Sequence, residues 1–305
     1  FSQVWLPEDF MKLTSEIALR EYLKDKKLFQ KRIDYFNKNL AKMNRKYFQY
    51  SYQKINQLKL SDLITLLQEM KDFVWDVNAP IVCVNHIDKE MVWGVIKDEN
   101  FGLSKKEFEK LWDKATQPAF ESIDKSHLKI FLDLLQKNKS WKKIVEECQF
   151  FTTDYHSAKS LSAVENHLKE QYQVFIEDRK KINKQLKEDS LELKKITNSH
   201  KTWLKNLSKK QRMLAEYLQA VMLLRDRRKD FINQGLTIMY RIAERMFKKA
   251  NLPNDLIPYY SADELLNGLK HLKTVSKDLK NRKKGFEYLF TYSGKAKMLN
   301  TPIDE

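Results

Sequence analysis

Four arginines on one predicted helix are the side chains of this chain best suited to hold a phosphate group. They are Arg225, Arg228, Arg241 and Arg245. The first two are three residues apart and the last two are four apart, so each pair shares one side of a helix. A guanidinium can donate forked hydrogen bonds to a phosphate, which makes these four residues candidates for facing a phosphorylated ligand. Ion pairing within the helix is the competing interpretation, because three acidic residues lie close in sequence: Asp226, Asp230 and Glu244.

Other reactive side chains are scattered along the chain. His167 follows Glu165 and Asn166 at the start of a predicted helix and could act as an acid or a base, but no nucleophile or metal partner is near it in sequence, which favours a structural role. No two of the six histidines have the i, i+4 spacing of a helical zinc pair. Cys83 and Cys148 form no CxxC pair and are expected to be reduced. We therefore expect no metal site, no cofactor and no catalytic residue in this chain.

Composition predicts helices. The 305 residues are 42% hydrophobic and include only six glycines and six prolines, far below the average usage of about 7% and 5%. The turns that many strands would need are therefore missing. No window approaches the run of about 18 apolar residues that spans a membrane, and the N-terminus does not read as a signal peptide. We expect an all-α, soluble and cytoplasmic protein.

The chain is strongly basic. Its 57 basic and 41 acidic residues give a formal net charge of +16, which is enough to attract nucleic acid, an anionic membrane surface or a phosphorylated ligand. A solvated, lysine-rich surface accounts for the same charge. The densest run, KDLKNRKK at 277–284, holds five basic residues, and there too a solvated helix end is the favoured interpretation.

The first half of the chain is predicted to be helical throughout. Aromatic and apolar spacing indicates one long helix over 10–57, which could be broken, and a second helix capped by Ser61. The runs PIVCV at 80–84 and MVWGVI at 91–96 have the length and composition of strands. We expect helices there, because an isolated pair of strands is only marginally stable. A capping box at 104–107 opens the next helix.

The second half is predicted to contain the longest helices. One begins with a capping box at 162–165 and runs to about His200. The next carries the four arginines and stops near Asn251, because the prolines within 253–258 prevent it from continuing. A capping box at 261–264 then opens a short helix. The buried stripe of the arginine-bearing helix is predicted to consist of Ile232, Leu236, Met239, Ala243 and Met246.

Helices of this length, packed antiparallel, would form an elongated bundle with short capped helices at the C-terminal end. We expect two subdomains within it. The first is an N-terminal helical subdomain at 1–158, and the second is a long-helix subdomain at 159–305.

The order of basic helix, kinked loop and short capped helix resembles the helical region that precedes the swivelling phosphohistidine domain in the phosphoenolpyruvate-utilising enzymes, the family of phosphoenolpyruvate synthase and rifampicin phosphotransferase. The similar segments extend over most of the chain. They are VWLPEDF at 4–10, KATQP at 114–118, ENH at 165–167 with Tyr172, LPND at 252–255, YYSADEL at 259–265 and YSGKA at 292–296.

The resemblance implies an intact protein that is a phosphotransferase, in which a nucleotide-binding domain phosphorylates a histidine on a mobile domain. Neither of those two modules is recognisable here, since six glycines cannot supply a glycine-rich phosphate loop. We expect the chain to be a segment of a larger protein that ends just before the mobile domain. Its role would be to position that phosphohistidine domain, which is its implied partner, without a complete active site of its own. The alternative is a basic helical module that binds nucleic acid, a less favoured partner, or an acidic protein.

Overall fold

The computed structural model describes residues 8–79, 81, 87–153, 158–268, 272, 287–290 and 296–299. Within these residues the fold is all-α, with one small antiparallel β-pair near the C-terminus. The helices of the first half are α1 Glu8–Lys24, α2 Lys26–Gln49, α3 Tyr52–Gln57, α4 Leu60–Asn78, α5 Lys89–Asp98, α6 Lys105–Ala115, α7 Ile123–Gln136 and α8 Trp141–Glu147. Those of the second half are α9 Leu161–Glu177, α10 Arg179–Lys205, α11 Lys209–Ala250 and α12 Ala262–Leu266, with 3₁₀ turns at Gln149–Thr152 and Asn254–Tyr259.

The predicted helix over 10–57 is divided into three, α1 to α3. Asp25 ends the first by capping the second, since its carboxylate accepts a hydrogen bond from the backbone N–H of Lys27 at 2.9 Å. Ser51 caps the third in the same way, with the N–H of Lys54 as donor. Short polar side chains of this kind offer the backbone a partner outside the helix, which is why they mark both breaks.

Helix α4 begins at Leu60, so the prediction that Ser61 caps it is wrong. The N-cap residue is Lys59, whose backbone N–H donates to the carboxylate of Asp62 at 3.3 Å. The helix predicted for 91–96 is confirmed, because these residues lie inside α5. Of the run at 80–84, only Ile81 is among the described residues, and the basic run at 277–284 lies outside them.

The long helix predicted from the capping box at 162–165 is in fact two helices. The first, α9, starts one residue before Ser162, and Ser160 supplies the hydroxyl that accepts from the N–H of Ala163. Asp178 then interrupts the helix and caps α10 by accepting from the N–H of Lys181 at 3.0 Å. The aspartate again competes successfully with helix continuation.

Helix α11 is the central element of the fold. Its 42 residues would extend about 63 Å, and it packs against α1, α2, α4, α6 and both 3₁₀ turns. Every residue from Gln234 to Ala243 is buried, so this stretch is enclosed on all sides. The predicted stripe is confirmed, and the helix stops at Asn251 in the left-handed conformation, φ 57°. The capping box at 261–264 opens α12 as predicted.

Two hydrophobic clusters form the core. The larger surrounds α11, and the smaller joins α7 and α8 to α9 and α10 through residues such as Phe131, Val164 and Ile182. Both clusters contain residues from either side of the predicted boundary after residue 158. The β-pair, Glu287–Phe290 with Ala296–Leu299, was not predicted from the sequence.

Candidate functional site

Arg241 is the most elaborately bonded side chain in the described part of the protein. It lies in the enclosed stretch of α11 and is 1% exposed. Burial of a charge is costly unless the charge is hydrogen-bonded or paired. The position of Arg241 therefore requires a full set of partners.

The guanidinium of Arg241 has five N–H donors, and an acceptor is available for each. Nε donates to Gln149 Oε1 at 3.0 Å. Nη1 donates to the backbone oxygens of Tyr47 at 3.4 Å and Tyr50 at 3.1 Å. Nη2 donates to the Tyr47 hydroxyl at 2.9 Å and to the backbone oxygen of Glu146 at 2.8 Å. The guanidinium carbon also lies 4.6 Å from the centre of the Tyr47 ring, in cation–π contact.

Glu244 supplies the negative charge of the same cluster. It is one turn from Arg241 on α11 and accepts a 2.5 Å hydrogen bond from the Tyr52 hydroxyl through Oε2. Its other oxygen accepts from Asn254 Nδ2 at 3.1 Å. The side-chain amide of Gln149 donates to the Tyr52 hydroxyl at 3.1 Å and so links the two halves of the cluster.

Burial determines the protonation behaviour of these groups. It raises the pKa of Glu244, and the hydrogen bond from Tyr52 and the charge of Arg241 offset part of that effect. Burial is the largest cause of the raised pKa of Tyr52, and the charge of the nearby Glu244 carboxylate is the second. Burial is also the largest cause of the raised pKa of Tyr47. Both phenols therefore stay protonated at neutral pH and act as donors.

The cluster joins segments that are far apart in sequence. It connects the end of α2 and the start of α3 with the middle of α11 and with residues 146–149, which run from the end of α8 into the first 3₁₀ turn and are called the 146–149 turn below. Its charged donors are saturated by protein oxygens, and its carboxylate is occupied by Tyr52 and Asn254. The arrangement can clamp these segments together. Arg241, one of the predicted phosphate-facing residues, has no donor left for a phosphate.

Arg225 and Arg228 do not join Arg241 in one site. Arg225 is exposed, Arg228 is 9% exposed, and Arg245 is half-buried with an Nε atom that has no hydrogen-bond partner among the described residues. Arg228 and Arg241 are 13 positions apart on a single helix, which separates them by about 20 Å along its axis. One phosphate cannot reach both pairs.

Asp230, one of the acids near these arginines in sequence, contacts a histidine. Asp230 Oδ1 lies 2.7 Å from His127 Nε2, and the His127 ring stacks on Phe151. Burial is the main cause of the raised pKa of Asp226. The arginine cluster of the sequence is thus divided between the interior and the surface of α11.

The remaining reactive side chains form no second centre in the described residues. His167 is half-buried, and burial followed by the charge of Lys159 lowers its pKa. Cys148 is buried, and burial raises the pKa of its thiol. No group of three or more His, Cys, Asp or Glu side chains placed to hold a metal ion is found in the described ranges.

Sequence reasoning missed the partners of Arg241, although one signal for its burial was present. The segment LTIMYRIA at 236–243 is apolar almost without interruption, and a helix that is apolar all round is enclosed on all sides. An arginine inside such a segment must be buried and needs internal acceptors. Nothing local indicates that those acceptors come from 47–50 and 146–149.

The fold and this cluster define an all-α protein with a buried arginine whose donors are all satisfied by protein oxygens. Comparisons with models of protein families, with curated proteins and with solved structures give no match to the chain. Among the described residues, none of the helices combines the length and the apolar character that a membrane crossing requires.

Proposed function

We propose that this chain is the helical scaffold segment of a cytoplasmic phosphotransferase similar to the phosphoenolpyruvate-utilising enzymes. In this role it positions a mobile phosphohistidine domain of the same protein and carries no complete active site of its own. The reaction would take place on the other domains. The chain would fix the attachment point of the mobile domain.

The observation that carries the proposal is the anchoring of the segment that follows α11. Asn254 donates to Glu244 on α11. The ring of Tyr260 packs edge-on against Phe247 with centroids 5.0 Å apart, and the Tyr260 hydroxyl donates to the backbone oxygen of Leu272 at 3.0 Å. A domain tethered beyond such a segment would move about a fixed point rather than on a loose chain.

The Arg241 cluster supports the same role. It ties the helix that bears the anchor to the end of α2, the start of α3 and the 146–149 turn. A positioning element needs this kind of rigidity, because a catalytic geometry that is displaced by about 1 Å loses much of its rate.

The first test is to read the coding sequence beyond residue 305 and to express the intact protein. We expect a phosphohistidine domain there, detected as acid-labile label after incubation with labelled phosphoenolpyruvate or ATP. An intact protein that holds no such domain and takes up no label contradicts the proposal.

A variant pair then tests the positioning role. Tyr260→Phe removes the hydroxyl that fastens Leu272 but keeps the ring, and Tyr35→Phe on the exposed side of α2 is the matched control. We expect Tyr260→Phe to slow transfer of the phosphoryl group between domains, while the control has no effect. Equal transfer rates in both variants would refute the role of the anchor.

A further inference from the structure

Helix α10 carries a row of lysines along its outer face. The side of α10 that faces the body holds Ile182, Leu186, Leu193, Ile196 and His200. On the opposite side lies a set of exposed lysines that we call the lysine ridge. It consists of Lys180, Lys184, Lys187, Lys194, Lys201 and Lys205. Their spacings of three, four and seven residues keep them in one line, and that line is about 38 Å long.

The lysine ridge is almost free of ion pairs. Lys184 lies 4.0 Å from Glu188, at the limit of an ion pair between two exposed groups. For the other five ridge lysines the described residues supply no side-chain partner. Asp189 is paired with Lys125 on α7, away from the ridge.

This pattern differs from that of an ordinary solvated helix. Helix α10 has nine basic and three acidic residues, whereas solvated surfaces usually intersperse the two signs. Lysines three or four residues apart on one face repel each other and destabilise the helix. A polyanion laid along the ridge would relieve this repulsion.

The positive surface continues beyond the end of α10. Arg212 holds that end by donating from Nε to the backbone oxygen of Leu204 at 2.8 Å and from Nη2 to that of Lys205 at 3.1 Å. It also lines a surface groove of about 590 Å³. The other residues lining this basic groove are Lys24, Asp25, Lys26, Lys209, Met213 and Glu216. Four cations thus face two carboxylates, and one carboxylate, Glu216, is already paired with Lys26 at 2.5 Å.

We propose that the lysine ridge and the basic groove bind the phosphate backbone of a nucleic acid. Protein interfaces are depleted in lysine and depend on aromatic anchors, but the only large apolar side chain counted as exposed on the described part of α10 is Leu191. A helix that lies on a membrane needs a free apolar face to insert. The apolar side of α10 is occupied at both ends, since Ile182 and Leu186 pack in the smaller cluster and Trp203 and Leu204 pack against the larger one.

The chemistry of the ridge predicts binding without sequence preference. Lysine contacts to phosphate position a nucleic acid but do not read its bases. Each neutralised phosphate releases counterions, so the affinity falls steeply with added salt. With all six lysines engaged, the slope of log K against log salt should be about −5 on duplex DNA.

The experiment measures binding of a fluorescein-labelled DNA duplex by anisotropy over a range of salt concentrations. A duplex of about 24 base pairs is roughly 80 Å long and exceeds the length of the ridge. The ridge variant changes Lys184, Lys187, Lys194 and Lys201 to Gln. The control variant has the same net charge and changes four exposed lysines on other helices, Lys31, Lys42, Lys97 and Lys106, to Gln.

We expect the ridge variant to lose at least about tenfold in affinity at low salt and its salt slope to shrink by about 3 to 4. The control should lose less than about threefold, because it removes only long-range attraction. Circular dichroism should show that both variants are folded, since all the changed residues are exposed.

Three outcomes would overturn the inference. The first is equal loss of affinity in the ridge and control variants, which would assign the binding to net charge alone. The second is the absence of DNA binding by the unchanged protein at low salt. The third is displacement of the duplex by polyglutamate or by anionic lipid vesicles at equal charge concentration, which would favour an acidic protein or a membrane surface as the partner.

Discussion

Replacing Arg241 is the most direct test of how this fold is held together. Arg241→Met keeps an unbranched side chain of similar length but removes all five donors. Three acceptors of the guanidinium have no second donor among the described residues: the backbone oxygens of Tyr47 and Tyr50 and the side-chain oxygen of Gln149. The variant would leave them unpaired in the interior.

The magnitude follows from those three acceptors. A buried acceptor without a partner costs about 1 to 3 kcal/mol. Glu244 would also lose the cation that offsets its burial. Entry of water would recover part of this loss, so we expect Arg241→Met to lower the free energy of unfolding by about 3 to 5 kcal/mol. That is a large share of the total of about 5 to 15 kcal/mol that is typical of folded domains.

Urea denaturation followed by circular dichroism measures the effect. With a slope of about 3 kcal/mol per molar, the midpoint should fall by about 1 M or more. Arg241→Lys should recover only part of the loss, because lysine offers three donors and no planar fork. Arg225→Met is the matched control, being exposed on the same helix, and should change stability by no more than about 0.5 kcal/mol.

The reasoning would be refuted if Arg241→Met cost less than about 1 kcal/mol, the net value of a single ordinary hydrogen bond. It would also be refuted if Arg241→Met and Arg225→Met had equal effects. Either result would mean that the acceptors around Arg241 are satisfied without it.

Three further predictions test other parts of the fold. Burial raises the pKa of Glu244 in the folded state. The stability that this shift contributes is fully present below the unfolded-state pKa and is lost as the pH rises through the folded-state pKa. Unfolding curves should therefore show that the wild type loses stability relative to Glu244→Gln as the pH rises through that window. Gly235→Ala would place a Cβ 2.4 Å from Val74 and should lower the free energy of unfolding, measured in urea, by about 1 to 3 kcal/mol. Gly94→Ala has nothing within 4 Å of the new Cβ and should raise the free energy of unfolding by about 0.5 to 1 kcal/mol. Equal effects of the two variants would contradict the close approach of α4 and α11. Asn251→Ala should lower the melting temperature and Asn251→Gly should not, because the residue has φ 57°, which alanine adopts only with strain.

The class of fold and several helix ends could be predicted because their signals are local. A Ser-x-x-Glu box, as at 104–107, or a residue suited to the left-handed conformation, as at Asn251, acts over a few residues and needs no distant partner. The breaks at Asp25 and Asp178 were missed for the opposite reason. An aspartate within an apolar repeat is compatible with an exposed helix position and with a new cap, and the sequence alone does not distinguish the two.

The candidate site was only partly predictable. Arg241 was predicted to face a phosphate, but its donors are taken up by partners such as Gln149 and Tyr47, which are 92 and 194 residues away in sequence. Contacts at this distance depend on how α2, α11 and the 146–149 turn pack. No periodicity or motif carries that information. For the same reason, the grouping of Arg225 and Arg228 with Arg241 as one phosphate-facing set followed from sequence spacing and not from a shared location.

Net charge alone could not separate the two kinds of basic residue that this protein uses. Arginine is found in the core, at Arg241 and Arg228, while no lysine is among the buried described residues. A planar guanidinium can satisfy five donors with fixed carbonyls, whereas a strongly hydrated ammonium is better left in water. The two sets should therefore respond to different experiments. Loss of the Arg241 guanidinium should lower stability and leave the salt slope of DNA binding unchanged in protein that is still folded, and loss of the lysine ridge should flatten that slope without lowering stability.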